Sequence, residues 1–426
     1  MVLKSKSEMT KAVNHEEMSV WLSTTMIQAL RNMISLFTHY FDGLEYMLDR
    51  FLDLLALCIC QENDTLARIG SNCLQTLILR NVDKFTPAHW DKIVTSFVDL
   101  FNRTEATALF QAVVASTPRE KLSASPHTDN ESETGLQLSA SPQPARNLSA
   151  YSTNGEVHAS QDTLSPIAQE SRSSLEEYRS QSQTQNIPAV VTPARRRFFT
   201  SIITKCVLQL LMIETVNELF SNDNVYARIP SMELLRLMSL LKKSYHFAKR
   251  FNNDLDLRNR LFQEGFMKQP PNLLKQESGS ASVYVNILFR MYHDEGEERR
   301  NSREQTEAAL VPLCVDIVVS YLQLKEETQQ RNIVTWRPVV IDVIEGYVNF
   351  PEEGFQKYAA TFAPLIAPLL MREMGMDLQR AVQALLHRIL ELHYELPALE
   401  VSTPQLASPR TSVFGSRRPS RASIPR

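Results

Sequence analysis

The residues of this chain that could do chemistry begin with a cysteine in a run of small residues. Gly70-Ser71-Asn72-Cys73 resembles, in isolation, a loop that presents a nucleophile. Such a cysteine needs a neighbouring base and an electropositive setting that lowers its pKa. The leucines and isoleucines on both sides repeat at helical spacing, which places Cys73 on the apolar side of a helix. A thiol in that position behaves as a small hydrophobe. We therefore predict that Cys73 packs in a core and that Gly70 marks the close approach of a neighbouring helix.

The other combinations of reactive residues also lack the geometry of an active site. Cys58-x-Cys60 lies on a predicted helix, where positions i and i+2 point apart. His387 and His393 are six residues apart, too far for joint coordination of a metal from one helix. Ser239-Leu240-Leu241-Lys242 matches an S-x-x-K pattern but has no K-T-G partner. With no P-loop or G-x-G-x-x-G present, we predict no catalytic, cofactor or metal site and no enzyme activity in this chain.

Two kinds of surface site are candidates for regulation. Arg195-Arg196-Arg197 precedes two phenylalanines, and such a cluster could contact anionic lipid; the alternative is a solvated boundary between linker and helix. The candidate phosphorylation sites are the serines of three Ser-Pro pairs, Ser125, Ser141 and Ser165, and the basophilic site Ser420, which follows Arg417-Arg418-Pro419. Composition alone also explains such serines.

The composition excludes several classes of protein. The formal net charge of -3 over 426 residues gives no basic field for nucleic acid. Five cysteines without regular spacing indicate a reducing compartment. The start, MVLKSKSEMT, is no signal peptide, and the apolar runs are shorter than the roughly 20 residues of a membrane span. Only 11 glycines argue against an α/β nucleotide-binding enzyme. We expect a soluble, cytosolic, helical protein.

Hydrophobic periodicity divides the chain into two helical blocks. The first, residues 16–114, contains helices over 18–41, over 43–60, over the stretch that Asp64 starts, and from Thr86-Pro87 onward. The second, residues 195–397, contains eight predicted helices: 197–220, 231–251, 254–265, 277–293, 303–325, 333–350, 354–372 and 376–394. Four prolines, Pro312, Pro338, Pro364 and Pro368, are expected to start or kink helices.

The rest of the chain is predicted to be disordered. Residues 115–194 are rich in Ser, Pro and Gln, and residues 1–15 and 398–426 are also polar. Such segments bury too little apolar surface to offset the entropy of ordering. Helix pairs recur at about 40 residues, which is typical of HEAT and armadillo arrays. The predicted fold is therefore all-α, an α-solenoid of HEAT/armadillo-like repeats in two blocks joined by a disordered linker.

Several passages resemble one family closely. They are EEMSVWLSTTMIQALRNMISLF (16–37), CQENDTLARIGSNCLQTLILRNVDKFTPAHWDKI (60–93), YHFAKRFNNDLDLRNRLFQEGF (245–266), NLLKQE (272–277) and ILFRMYHDE (287–295). They resemble the C-terminal region of the large, brefeldin A-inhibited Arf guanine-nucleotide exchange factors of the trans-Golgi, the Sec-seven/BIG family, and most of all a fungal member. Beyond residue 296 or so the likeness is one of helical pattern only.

The resemblance implies a regulatory role. Family members activate Arf GTPases through a central catalytic domain, whose acidic finger segment has no counterpart here. Their downstream helical domains, called HDS, control recruitment, autoinhibition and dimerisation through small GTPases of Arf, Arf-like or Rab type. The expectation is a non-catalytic regulatory and scaffolding region, cytoplasmic and peripheral on trans-Golgi membranes, which binds GTPases and forms a homodimer. The chain is also expected to be a fragment of a longer product. The alternative is an independent HEAT-like adaptor protein in membrane trafficking.

Overall fold

The computed structural model describes residues 15–111 and 193–394 apart from 265, 266 and 268, with side chains between residues 24 and 392. Within these residues every regular element is helical and there is no strand, so the all-α prediction is confirmed. The helices are α1 His15–His39, α2 Phe41–Leu44, α3 Leu48–Ile59, α4 Asp64–Asn81, α5 Pro87–Thr104, α6 Pro193–Ser221, α7 Asp223–Arg228, α8 Ser231–Asn253, α9 Leu255–Gln263, α10 Leu274–His293, α11 Glu297–Asn301, α12 Arg303–Leu322, α13 Gln330–Val348, α14 Glu352–Leu370 and α15 Met376–Tyr394. Three 3₁₀ turns, Glu45–Met47, Val82–Lys84 and Thr107–Phe110, extend this set.

Most long helices lie close to their predicted positions, but the predicted helix 43–60 is divided into the end of α2, the 3₁₀ turn Glu45–Met47 and α3. Periodicity did not indicate α2, α7 or α11, because four to six residues are too few to establish a 3.6-residue repeat. Helix α6 begins at Pro193, inside the segment predicted as linker, since proline is favoured at the first helical position. The predicted disordered segments otherwise lie almost entirely outside the described residues.

Side-chain caps fix several helix starts. The Asn63 side chain accepts a hydrogen bond from Leu66 N, so α4 begins at Asp64 as predicted. Thr86 accepts from His89 N, and His89 Nδ1 accepts in return from Thr86 N, which forms a capping box before Pro87. These caps satisfy backbone N–H groups that no helical carbonyl can reach.

The four prolines expected to start or kink helices all lie inside helices. Pro312 is in α12, Pro338 in α13, and Pro364 and Pro368 in α14. None of them starts a helix, since helical residues precede and follow each one.

The chain divides into two compact units, Met1–Val339 and Val340–Arg426, with the boundary inside α13. In the first unit the helices pack in two rows. One row runs α3, α5, α8, and the other runs α1, α4, α6, α10, α12. Cross-contacts join α3 to α4, α5 to α6, and α8 to α10. This arrangement is a two-layered stack of helix pairs, as expected for a helical-repeat fold; its continuation as a solenoid remains a prediction.

The second unit is held by an aromatic cluster around Tyr347. The Tyr347 ring stacks on Phe355 and Phe362, with centroids 4.5 and 4.1 Å away, and its hydroxyl donates to the Phe355 carbonyl (2.7 Å). Arg388 on α15 donates to the Phe350 carbonyl at 2.5 Å. These contacts fix α14 and α15 against the end of α13.

Two helices reach the length and hydropathy that a membrane crossing would require. They are α6 and α12, and 50% and 44% of their most apolar windows are buried. Their contacts account for that hydropathy, because α6 packs on α4, α5 and α10, and α12 packs on α10 and α11. We interpret both as core helices of the stack.

Candidate functional site

Cys73, the candidate nucleophile, lies in the core. Cys73 is only 4% exposed, which confirms its predicted place on the apolar face of α4. Burial raises the pKa of its thiol. The pKa of Cys58 is also raised, mainly by burial and to a lesser extent by the neighbouring Cys73 thiol. An activated nucleophile would need the opposite shift. The environment of Cys73 is therefore that of a structural thiol.

Gly70 marks a close approach between α3 and α4, as predicted. A Cβ atom built on Gly70 would lie 2.9 Å from Ile59 Cγ1 and 3.0 Å from both Cys58 Cβ and the Ile59 backbone nitrogen. Backbone cannot yield as a flexible side chain can. The small residues of this stretch thus bring two helix axes together.

The remaining candidates for chemistry are placed apart. Ser239 and Lys242 are both exposed on α8, and the Ser239 hydroxyl donates to the Arg236 carbonyl at 2.6 Å. His387 Nδ1 is 3.2 Å from Glu391 Oε1, while the His393 side chain lies outside the described ones. Within the described ranges, no three His, Cys, Asp or Glu side chains are grouped to hold a metal ion. The candidate phosphorylation sites Ser125, Ser141, Ser165 and Ser420 lie outside the described residues.

The basic cluster at the start of α6 divides into one structural and two exposed arginines. Arg195 forms a bidentate pair with Glu264, with Nη2–Oε1 at 2.8 Å and Nε–Oε2 at 3.0 Å, and both side chains are 18% exposed. Its guanidinium also lies over the rings of Phe198 and Phe199. Arg196 and Arg197 are exposed. Only these two remain candidates for contact with an anionic surface.

Sequence reasoning missed the residues that join this cluster in space. Phe110, from the 3₁₀ turn after α5, lies edge-on to Phe247 and Phe251, and Arg250 lies 4.3 Å above its ring. These aromatics pack around a core cluster that includes residues of α6, α8 and α9. We call this region the basic corner. The aromatic rings and the core cluster form its inside, and the exposed Arg196, Arg197 and Arg250 form its outside.

Helix α9, beside this corner, carries an outward-facing apolar pair. Leu255 is 63% and Phe262 is 37% exposed, and they are seven residues apart on one face. Leu257 and Leu261, on the opposite face, fill the core cluster. Neither Leu255 nor Phe262 belongs to this core cluster. The signal was available in the sequence as a break in the polar face of an amphipathic helix.

A buried network of hydrogen-bonded polar side chains connects four helices. The Thr104 hydroxyl on α5 donates to Gln209 Oε1 on α6 (2.7 Å). Ser244 Oγ on α8 lies 3.4 Å from Gln209 Nε2, 3.1 Å from Gln276 Nε2 and 3.1 Å from Ser280 Oγ, the last two on α10. All five side chains are buried. Because buried polar groups are costly when unpaired, this network fixes how the four helices are rotated against one another.

Charged residues of α8 continue the same contact toward α12. Lys249 Nζ lies 2.5 Å from Asp316 Oδ1 and 2.9 Å from Ser320 Oγ. The Tyr245 hydroxyl donates to Asp316 Oδ2 at 2.7 Å, and burial followed by this bond raises the pKa of the phenol. The group is a partly exposed ion pair that joins α8 to α12.

The buried carboxylate of Glu277 joins the start of α10 to the end of α8. Asn252 Nδ2 donates to Glu277 Oε2 (2.5 Å), and Asn252 Oδ1 accepts from Leu273 N (2.7 Å). Arg258 donates to the carbonyls of Asn252 and Pro271. Burial raises the pKa of Glu277, partly opposed by Asn252 and Lys249. Asn252, Arg258 and Glu277, three polar residues of the passages that resemble the family, thus have a role in packing.

Comparison with known proteins identifies relatives for almost the whole chain. The family described as BIG2 C-terminal domain matches residues 207–390. The ADP-ribosylation factor guanine nucleotide-exchange factor SEC7 of Saccharomyces cerevisiae is 41% identical over 419 residues, which cover 92% of this chain and 21% of that protein. The corresponding factor sec72 of Schizosaccharomyces pombe is 32% identical, over 78% of this chain and 16% of that protein.

A mammalian relative is more distant. Brefeldin A-inhibited guanine nucleotide-exchange protein 1 of Homo sapiens is 27% identical over 74% of this chain and 18% of that protein. The chain therefore spans between 16% and 21% of the length of these three relatives.

Proposed function

We propose that this chain, a homologue of one part of the Sec7/BIG-type Arf guanine-nucleotide exchange factors, is a non-catalytic regulatory and scaffolding region. The observation that carries the proposal is the 41% identity to SEC7 of Saccharomyces cerevisiae over 92% of the chain. Exchange activity belongs, in this proposal, to another part of a longer protein. The chain acts on the cytoplasmic side of trans-Golgi membranes in vesicle-mediated protein transport.

The mechanism is binding of small GTPases, the catalytic domain, or both. The packing of the first unit supports this: its helix pairs are stacked, and stacked helix pairs commonly form extended binding surfaces. The side chains that first suggest chemistry are accounted for by packing: Cys73 is buried, and Ser239 bonds to its own helix. Arf, Arf-like and Rab proteins are the GTPases we expect to bind.

The basic corner is the part we assign to the membrane surface. Arg196 and Arg197 are exposed at the start of α6, and each cation near an anionic surface contributes about 1 kcal/mol. Arg195 takes no direct part, because Glu264 and two aromatic rings engage its guanidinium. Two cations give weak binding that a GTPase must reinforce.

The test presents the chain to liposomes that carry anchored GTPases. Arf, Arf-like and Rab proteins are each loaded with GTP or with GDP, and bound chain is measured by flotation. We expect recruitment by at least one GTP-loaded protein above its GDP-loaded control. Failure of all of them, alongside a known effector that does bind, would overturn the proposal.

The alternative, an independent HEAT-like adaptor, predicts a different result. An adaptor would bind without coupling to nucleotide exchange. Adding the chain to a relative's exchange domain and following nucleotide release from Arf separates the two. A change in exchange rate supports a regulatory region, and an unchanged rate with intact GTPase binding supports the adaptor.

A further inference from the structure

The basic cluster at the start of α6 also forms a pattern that arginine-directed protein kinases recognise. Arg195 and Arg197 stand five and three residues before Thr200. Guanidinium groups at these two positions pair with carboxylates beside the active site of such kinases. In the full sequence Thr200 is the only serine or threonine with arginine at both positions. The pattern therefore indicates one acceptor for a phosphoryl group.

Thr200 lies beside the two exposed arginines of the cluster. Its side chain is exposed, and its hydroxyl donates to the Arg196 carbonyl (3.0 Å). Arg196 and Arg197 precede it by four and three residues, the spacings at which side chains of one helix are neighbours. A phosphate on Thr200 Oγ1 would thus have both guanidinium groups within reach.

The intact helix hides the kinase pattern. Arg195 and Arg197 are two residues apart, so on α6 they point to different sides, whereas in an extended chain they point to the same side. Glu264, at the end of α9, also engages Arg195 in the bidentate pair. Phe199 is 5% exposed and holds the same turns of α6 to the core cluster. Thr200 is therefore presented to a kinase only when the start of α6 opens, as helix ends do locally.

We propose that Thr200 is a phosphorylation site that switches off the contact of the basic corner with anionic lipid, and that the Arg195–Glu264 pair limits access to it. In the reaction the γ-phosphorus of ATP bonds to Thr200 Oγ1 and its bond to the bridging oxygen breaks. ADP leaves, and the hydroxyl proton passes to a base of the kinase. The added charge of about −1.5 to −2 then offsets the charges of Arg196 and Arg197. The switch rests on the proposed function, in which these arginines contact the membrane, and phosphorylation releases basic segments from anionic membranes.

The first experiment treats the full chain with ATP and a basophilic kinase of the AGC class that selects arginine at positions −3 and −5. Mass spectrometry locates the phosphate, and a peptide of residues 193–203 is the control for kinase activity. We expect phosphate on Thr200, and Arg197→Ala should slow its appearance about tenfold, because the contact at position −3 is lost. Arg196→Ala, at position −4, is the matched control and should have little effect. Unmodified Thr200 alongside a modified peptide, or equal slowing by the two variants, would overturn the proposal.

A second experiment tests the part assigned to Glu264. Glu264→Gln keeps the size of the side chain and removes its charge. The start of α6 should then open more often, and Thr200 should be phosphorylated about fivefold faster. Exposed Glu304→Gln is the control, and circular dichroism checks that both variants are folded. Equal rates in the two variants would contradict the role of the Arg195–Glu264 pair.

Flotation with liposomes of phosphatidylserine and phosphatidylcholine then measures the switch. Wild type and Thr200→Ala are both treated with the kinase, so that phosphate on other residues, Ser420 included, affects the two samples alike. We expect the phosphorylated wild type to bind about tenfold more weakly than treated Thr200→Ala. Equal binding would rule out the switch. A chain that does not bind before treatment would overturn both the switch and the membrane assignment, whereas failure at the kinase step overturns the switch alone.

Discussion

Ser71 and Thr215 lie 144 residues apart in the sequence, and their hydroxyl oxygens are 2.6 Å apart in the buried contact between α4 and α6. Thr215 donates its own proton to the Leu211 carbonyl (2.7 Å), so Ser71 is the donor of the shared bond. Both side chains are fully buried. The two helical blocks that the sequence separates are therefore joined by a specific internal contact.

Cutting the chain between the blocks should leave them associated. An engineered protease site between residues 150 and 151 allows cleavage after folding. Because α4 and α5 pack on α6 and α8, we expect both fragments to elute together in size-exclusion chromatography. Ser71→Leu should release them by crowding the contact with Thr215. Separate elution of the cut but otherwise unaltered protein would contradict this packing.

Gly70→Leu should destabilise the fold. Even the Cβ atom meets Ile59 and Cys58 at about 3 Å, so the larger side chain forces α3 and α4 apart. We expect a loss of about 1–3 kcal/mol in the free energy of unfolding, measured in urea. Gly43→Leu is the matched control, since a Cβ there has no atom within 4 Å. Equal stability of the two variants would refute the close approach.

The Cys73 thiol should be inert in the folded protein. Burial disfavours the thiolate, which is the reactive form. At pH 8 we expect Cys73 to react with Ellman's reagent much more slowly than the half-buried Cys60, and at the rate of a free thiol once the chain is unfolded in urea. Mass spectrometry of partly labelled protein identifies the site. Rapid labelling of Cys73 before unfolding would contradict its placement.

The three arginines of the basic cluster should separate by role. Arg195→Ala removes the pair with Glu264 and the contact with two rings, so we expect a loss of about 1–2 kcal/mol in stability. Arg196→Ala/Arg197→Ala should leave stability unchanged and reduce binding to anionic liposomes. Chemical unfolding and flotation measure the two effects. Reduced stability in the double variant, or unaltered liposome binding, would argue against this division.

Glu277→Gln should stabilise the protein at neutral and alkaline pH. Burial raises the pKa of Glu277 above its ordinary value of 4.5. A carboxyl whose pKa is raised on folding contributes stability that is fully present below the unfolded pKa and is lost as the pH rises through the folded pKa. Glutamine stays neutral and keeps an oxygen that accepts from Asn252. Urea unfolding from pH 4.5 to 8 should show a growing advantage of Glu277→Gln; a constant or negative difference would be contrary. Exposed Glu304→Gln is the control.

Sequence periodicity could predict the long helices because apolar residues recur along them at helical spacing. Thr86-Pro87 even specified the first residue of α5, since a cap and a proline act locally. The pairs of polar residues inside the core were not predictable in this way. Ser71 and Gln209 look like ordinary polar residues, and only the fold places each beside a partner from a distant segment.

The basic corner shows the same limit. Arg195, Arg196 and Arg197 look equivalent in the sequence, but Glu264 lies close to only the first of them. Phe110 and Arg250 belong to the same corner from distant positions. Pairwise contacts at long separation carry no local periodic signal, so a single sequence cannot reveal them.

The buried polar network has a mechanical consequence. It runs from Thr104 through Gln209 to Ser244, Gln276 and Ser280. Apolar helix faces can slide by a turn and still be buried, whereas these hydrogen bonds break with a shift of a few ångströms. The hydrogen bonds therefore fix both the rotation of the four helices about their axes and their relative positions along those axes. A force or ligand that moves one of them must either carry the other three along or strip several buried groups of their partners.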